Sequence, residues 1–142
     1  MSTATKKRKL EILIVEDDPM DALLVKRFLE RAGVGFNLIS APDGEVALDY
    51  LYRQGVYEKA ARPDLIILDM GLPKVNGQEV LDSLKKDDQL KKIPVVVLTG
   101  QEIDSNAIRH WNLYEHSYVN KWFNMTDFLS LIKAVEDYWT GR

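Results

Sequence analysis

Three short runs, ILIV at 12–15, LIIL at 65–68 and VVVL at 95–98, limit the folds open to this chain. Each is unbroken in leucine and β-branched residues, which suits a strand covered on both faces and does not suit one with a wet face. The segments between them have apolar residues at helical spacing, and strands alternating with helices predict a parallel sheet with right-handed crossovers.

Residues 10–15 read as the first strand and Glu16 to Pro19 as the turn into a helix, with Pro19 suited to a first helical turn. Met20, Leu23, Leu24, Phe28 and Arg31 follow at helical spacing, most of Met20, Leu23, Leu24 and Phe28 being expected in the core, and Gly33 with Gly35 marks the exit. A mixed strand, FNLIS at 36–40, precedes a helix introduced by Asp43 and Gly44, with Val46, Ala47, Tyr50 and Leu51 on its apolar side. Residues 52–63 suggest an overlong second helix or a surface excursion. The third strand is expected at 64–68, a helix at 78–86, the fourth strand at 94–98 with Pro94 at its first position, a helix near 103–112, a short strand at 117–120 and a last helix over 125–139. The expected fold is α/β: a doubly wound five-stranded parallel sheet with helices on both faces, the second and fifth strands at or near its edges.

The 142 residues suggest one domain, expected to span 10–142 after a flexible basic arm at 1–9. Lys6, Lys7, Arg8 and Lys9 leave a formal charge of -7 on the remainder against -3 overall, a poor surface for nucleic acid. There is no cysteine, which excludes disulfides, thiolate catalysis and cysteine metal sites. With no run of roughly 18 apolar residues and no apolar leader, a cytoplasmic protein without membrane attachment is expected.

Ligands of open α/β sheets bind outside the carboxyl ends of the strands. At those ends stand Glu16 and Asp17, Asp69, Thr99 and Lys121. Any one carboxylate there is commonly a helix cap or simply solvated, whereas five suitable residues on four strands form a site. Three carboxylates and one ammonium reach neutrality with one divalent cation, and an all-oxygen set calls for Mg2+ rather than zinc. Asp69 is then placed to attack phosphorus, with Thr99 and Lys121 placed to contact the transferred group.

Glu16-Asp17-Asp18-Pro19, Asp69 with Leu72-Pro73 and Gly77, Thr99-Gly100 and Lys121 resemble the marks of the bacterial response-regulator receiver domain over nearly the whole chain after residue 9. The resemblance implies a flavodoxin-like strand order 2-1-3-4-5 and phosphorylation of Asp69 by a sensor histidine kinase. It implies Mg2+ held by Glu16, Asp17 and Asp69 with the carbonyl of Gly71, and a switch formed by Thr99 and Tyr118. Gly71 and Gln101 match two variable positions that influence dephosphorylation. The stretch DYLYRQGVYEKAARPDLIILD is similar to single-domain regulators serving bacterial and cyanobacterial phytochromes. One departure is Trp122, where most of the family has a proline after the lysine.

With no second domain following residue 142 in this sequence, output is expected through a surface. Met125, Phe128, Ile132, Val135 and Trp139 form the core stripe of the last helix, and Leu131 and Tyr138 widen it to one side. Together with Trp111 and Trp122 they suggest a homodimer through the fourth helix, fifth strand and fifth helix. Ala22 and Lys26 are candidate kinase contacts on the first helix. The expected role is a phosphoacceptor that catalyses its own phosphorylation and slow dephosphorylation, not a turnover enzyme. A phosphatase of the haloacid-dehalogenase type would want a second Asp two residues after the nucleophile, and Met70 and Gly71 follow Asp69 instead. A flavodoxin-type nucleotide site would have Glu16, Asp17 and Asp18 repelling its phosphate. A scaffold with an inactive site is the alternative within the same fold.

Overall fold

The computed structural model describes residues 9–33, 35–69, 77–99 and 118–120, with the backbone alone at Thr99 and at 118–120. β1 (Leu10–Val15), β2 (Phe36–Ala41), β3 (Leu65–Asp69) and β4 (Val95–Thr99) form a parallel sheet in the order β2-β1-β3-β4. The backbone of Tyr118–Asn120, β5, pairs in parallel outside β4, with Thr99 beside Asn120. Three helices are described: α1 (Pro19–Arg31), α2 (Gly44–Leu51) and α3 (Gly77–Lys86). The expected fourth and fifth helices lie outside the described residues.

Period-two alternation sorts the strand side chains into two cores. Leu10, Ile12, Ile14, Leu65, Ile67, Val96 and Leu98 pack with Val25 and Leu29 of α1 on one face. On the other, Leu13, Val15, Ile66, Leu68 and Val97 pack with Ala47, Tyr50 and Leu51 of α2 and Val80, Leu81 and Leu84 of α3. Both faces being dry, the continuous apolar runs follow directly. β2 is covered less, with Asn37, Ile39 and Ser40 exposed, as its mixed sequence requires at an edge.

The expected core stripe of α1 is corrected by the structure. Met20 is 70% exposed, Leu23 39% and Leu24 38%. The face turned to the sheet is Val25 and Leu29, flanked by Ala22 and Phe28, so Ala22 packs inward while Lys26 is exposed. Both stripes have helical spacing; docking against Ile12, Ile14 and Ile67 selects between them. Asp18, extended at φ -95 and ψ 112, caps α1 by accepting from the Met20 N–H, and Pro19 begins the helix. Gly33 leaves α1 at φ +74, a left-handed conformation that glycine adopts without strain.

Of the two readings of residues 52–63, the surface excursion is correct. α2 ends at Leu51, and a 3-10 turn at Gly55–Tyr57 follows. A second 3-10 turn, Leu90–Lys92, leads into β4, which starts after Pro94 rather than at it; the Pro94 carbonyl still accepts from the Ile66 N–H at 3.0 Å.

Candidate functional site

Register builds the site. Val15 pairs with Leu68, so one step further along both strands Glu16 stands beside Asp69. Neighbouring strands lie about 4.8 Å apart, and residues opposite each other point the same way. Glu16 remains tied to the sheet beyond the end of β1, its N–H donating to the Ala41 carbonyl at 3.0 Å. Asp69 is still within β3, paired with Leu98. These two central strands thus present two carboxylates at one level, each only 3% exposed. Asp17, the next residue out, is exposed.

One carboxylate oxygen from each of Glu16, Asp17 and Asp69 lies within 4.8 Å of the others. Two unit charges at that separation repel by about 3 kcal/mol at an effective dielectric of about 20. Such repulsion, with two of the three groups out of water, needs nearby positive charge. Three anionic oxygens suit a divalent cation, and the hardness of the donors suits Mg2+ or Mn2+ rather than a metal preferring sulfur or imidazole.

The chain immediately after the pocket is stiffened by capping. The Asp18 N–H donates to Glu16 Oε2 at 3.3 Å, Asp18 Oδ1 accepts from the Met20 N–H at 2.9 Å, and the Asp18 carbonyl accepts from the Ala22 N–H at 3.0 Å. Sequence reading placed Asp18 in the acidic motif but did not identify it as a cap. An Asp immediately before a Pro at a helix start is nonetheless a capping signal. Asp43 plays the equivalent part after β2, accepting from the Val46 N–H at 2.9 Å.

The structure therefore brings Glu16, Asp17 and Asp69 together. Thr99 and Tyr118 are placed by backbone alone, at the end of β4 and the start of β5. Gly71, Gln101, Trp111, Lys121, Trp122, Leu131 and Tyr138 lie outside the described residues, so the predicted loop ligand, lysine contact and dimer face rest on sequence. Among the described residues no helix is long and apolar enough to cross a membrane.

Comparison with known proteins agrees with this geometry. The family model described as the response regulator receiver domain matches residues 12–133. Response regulator Rcp1 of Synechocystis sp. is 39% identical over 128 residues, covering 90% of this chain and 87% of its own. The Mn2+-bound structure of Rcp1 superposes with a TM-score of 0.75 at 38% identity, over 92% of this chain and 94% of that one. The bacteriophytochrome response regulator RtBRR gives 0.80 at 38% identity, over 90% and 78%. The phosphorylated cyanobacterial phytochrome response regulator RcpA gives 0.77 at 37%, over 94% and 95%.

Proposed function

This chain belongs to the response-regulator receiver family, whose members accept a phosphoryl group, and we propose that Asp69 is its acceptor, phosphorylated by a sensor histidine kinase of the phytochrome type, as the likeness to phytochrome response regulators supports. The observation that carries this reading is the meeting of Glu16, Asp17 and Asp69 within 4.8 Å at the ends of adjacent central strands. Bound there by those carboxylates and the Gly71 carbonyl, Mg2+ would supply the positive field that offsets charge on the transferring phosphoryl oxygens.

The residues of the chain do the rest. β3 delivers the Asp69 carboxylate from a fully buried strand, so the nucleophile has little freedom to wander. One of its oxygens forms the new P–O bond as the P–N bond of a phosphohistidine breaks, and the electron pair of that bond returns to the imidazole nitrogen. The Thr99 hydroxyl donates to one phosphoryl oxygen and the Lys121 ammonium pairs with another. Thr99 and Tyr118, on neighbouring strands, carry the change outward as the switch. With Met70 and Gly71 after Asp69 the chain lacks the second Asp, two residues after the nucleophile, that would serve as acid and base for hydrolysis, so the phosphate is kept as a signal and turnover is slow.

Signal output is assigned to the fourth helix, fifth strand and fifth helix, paired in a cytoplasmic homodimer with Trp111, Trp122, Leu131 and Tyr138 at the contact. The five-stranded, five-helix receiver fold over residues 10–142, behind a basic arm at 1–9, completes the reading.

Incubation with Mg2+ and acetyl phosphate tests the acceptor. Wild type should acquire one base-labile phosphate, seen as added mass, and Asp69→Asn should acquire none. Label retained by the mutant would move the acceptor elsewhere.

A further inference from the structure

Asp18 is an acidic neighbour of the pocket that does not join it. Its carboxylate is committed to the Met20 N–H at 2.9 Å, while its own N–H reaches back to Glu16 Oε2 at 3.3 Å. We propose that Asp18 is a positioning residue for the acidic pocket, the capping joint through which the start of α1 holds the Glu16 carboxylate in place to receive a divalent cation.

The joint is defined on both sides. Upstream, the Glu16 N–H is fastened to Ala41 at 3.0 Å, so the backbone entering the turn is part of the sheet. Downstream, the Asp18 carbonyl takes the Ala22 N–H at 3.0 Å, so the backbone leaving it is already helix. Asp17 is the single residue between these fastenings. The Asp18 N–H belongs to the peptide shared with Asp17, and its direction depends on the Asp18 φ of -95, which the side-chain cap helps to hold. Pro19 has no N–H to offer in its place, and its ring limits the preceding residue to extended conformations. Releasing the cap removes one of the two restraints on the Asp18 peptide, which weakens one of the bonds that orient the Glu16 carboxylate and loosens Asp17 with it. Groups that orient metal ligands in this way typically alter metal affinity about 10- to 100-fold when removed.

The role is geometric rather than electrostatic, which separates it from a simple contribution of negative charge. Asn and Ser cap helices as well as Asp does but carry no charge. The proposal rests on the divalent-cation reading of the pocket, and its test keeps the two apart. Mn2+ binding to the full chain is measured by electron paramagnetic resonance for wild type, Asp18→Ala, Asp18→Asn and Asp18→Ser. Amide exchange at residues 18 and 20 is followed in the same proteins without metal.

Asp18→Ala should bind Mn2+ about tenfold more weakly, with faster exchange at both amides, and the Asn and Ser variants should stay within about threefold of wild type. If Ala binds as wild type does, the cap is merely structural and the proposal fails. If Asn and Ser are as weak as Ala, charge is the cause and it also fails. A wild type that takes up no Mn2+ overturns the cation reading itself. In that case exchange at the residue 18 amide decides the joint: protection lost in Ala and kept in Asn and Ser supports it, and equal protection in all four overturns it.

Discussion

A carboxylate that accepts backbone N–H groups does so best while ionised, and Asp87 is an instance remote from the pocket. Its Oδ1 accepts from the Gln89 N–H at 2.8 Å and the Leu90 N–H at 3.0 Å, closing the turn that leads to β4. The Leu90 bond first, then the Gln89 bond, with the charge of Arg62 assisting, hold its pKa below the ordinary 3.8. A depressed folded pKa makes the native state bind protons less readily than the unfolded one. The contribution of Asp87 is therefore complete above about pH 4 and lost as pH falls through the folded value. Urea midpoints of wild type and Asp87→Ala should differ at pH 7 and draw together as pH falls below about 4; a gap independent of pH would contradict this. At the same scale, Glu16, Asp17 and Asp69 were legible because strand ends are marked by the abrupt change from apolar to acidic. The phase of α1 was not, since Met20, Leu23 and Leu24 share the 3–4 spacing of Val25 and Leu29. Only docking against Ile12, Ile14 and Ile67 distinguishes them. Leu29→Ala should accordingly cost about 2–5 kcal/mol of unfolding free energy, and Met20→Ala about 0.5 kcal/mol or less. Chemical denaturation of the two variants would reverse the assignment of the buried face if the order came out the other way.

The excursion after α2 shows an element replaced by side-chain scaffolding. The Tyr50 hydroxyl donates to the Ala61 carbonyl at 3.1 Å, Arg53 Nε to the Ala60 carbonyl at 3.0 Å, and Arg62 Nη1 to the Leu51 carbonyl at 3.4 Å. The Tyr50 and Tyr57 rings meet edge to face, with centroids 5.5 Å apart. Arg53 is held at φ +56, in the left-handed region unusual for a side chain with a Cβ, and the contacts on either side of it keep it there. None of this is periodic, which is why the sequence left a helix and a loop equally open. The strands were legible because their burial on both faces leaves no polar position to interrupt the run. Tyr50 is only 7% exposed, and its phenol pKa is raised above 10.0, chiefly by burial and then by Glu11, against a lowering from Arg53. A raised folded pKa means that the native state keeps the phenol proton more tightly. That stabilisation is whole below pH 10 and lost as pH rises through the folded value. Tyr50→Phe should lower neutral-pH stability by about 1 kcal/mol through loss of the Ala61 bond. It should also flatten the alkaline fall in stability, measured by denaturation between pH 7 and 11. An alkaline limb unchanged by the mutation would show that another group sets it.

For the molecule as a whole, the acidic pocket opposes the stability that the two cores provide. The three carboxylates sit within 4.8 Å of one another at the ends of strands whose apolar residues are otherwise shut away from water. Removing one charge relieves the repulsion and also removes a ligand for a cation, so the two consequences have opposite signs under different conditions. Asp17 is the suitable position, because it is exposed and its neutralisation leaves no buried group newly stranded. Without divalent cation, Asp17→Asn should melt at or slightly above the wild-type temperature. With Mg2+ the order should reverse, since a ligand that binds only the native state adds about 2.7 kcal/mol at 100 times its dissociation constant. For a chain of this size that corresponds to a rise of roughly 5–10 °C in wild type, and the variant should show little of it. NaCl at matched ionic strength is the necessary control, because screening alone weakens the repulsion without requiring a site. Calorimetric melting of both proteins under the three conditions separates the possibilities. An equal rise with NaCl would reduce the pocket to a diffuse patch of charge, whereas a rise specific to Mg2+ and lost in Asp17→Asn requires the three carboxylates to act as one coordinating set.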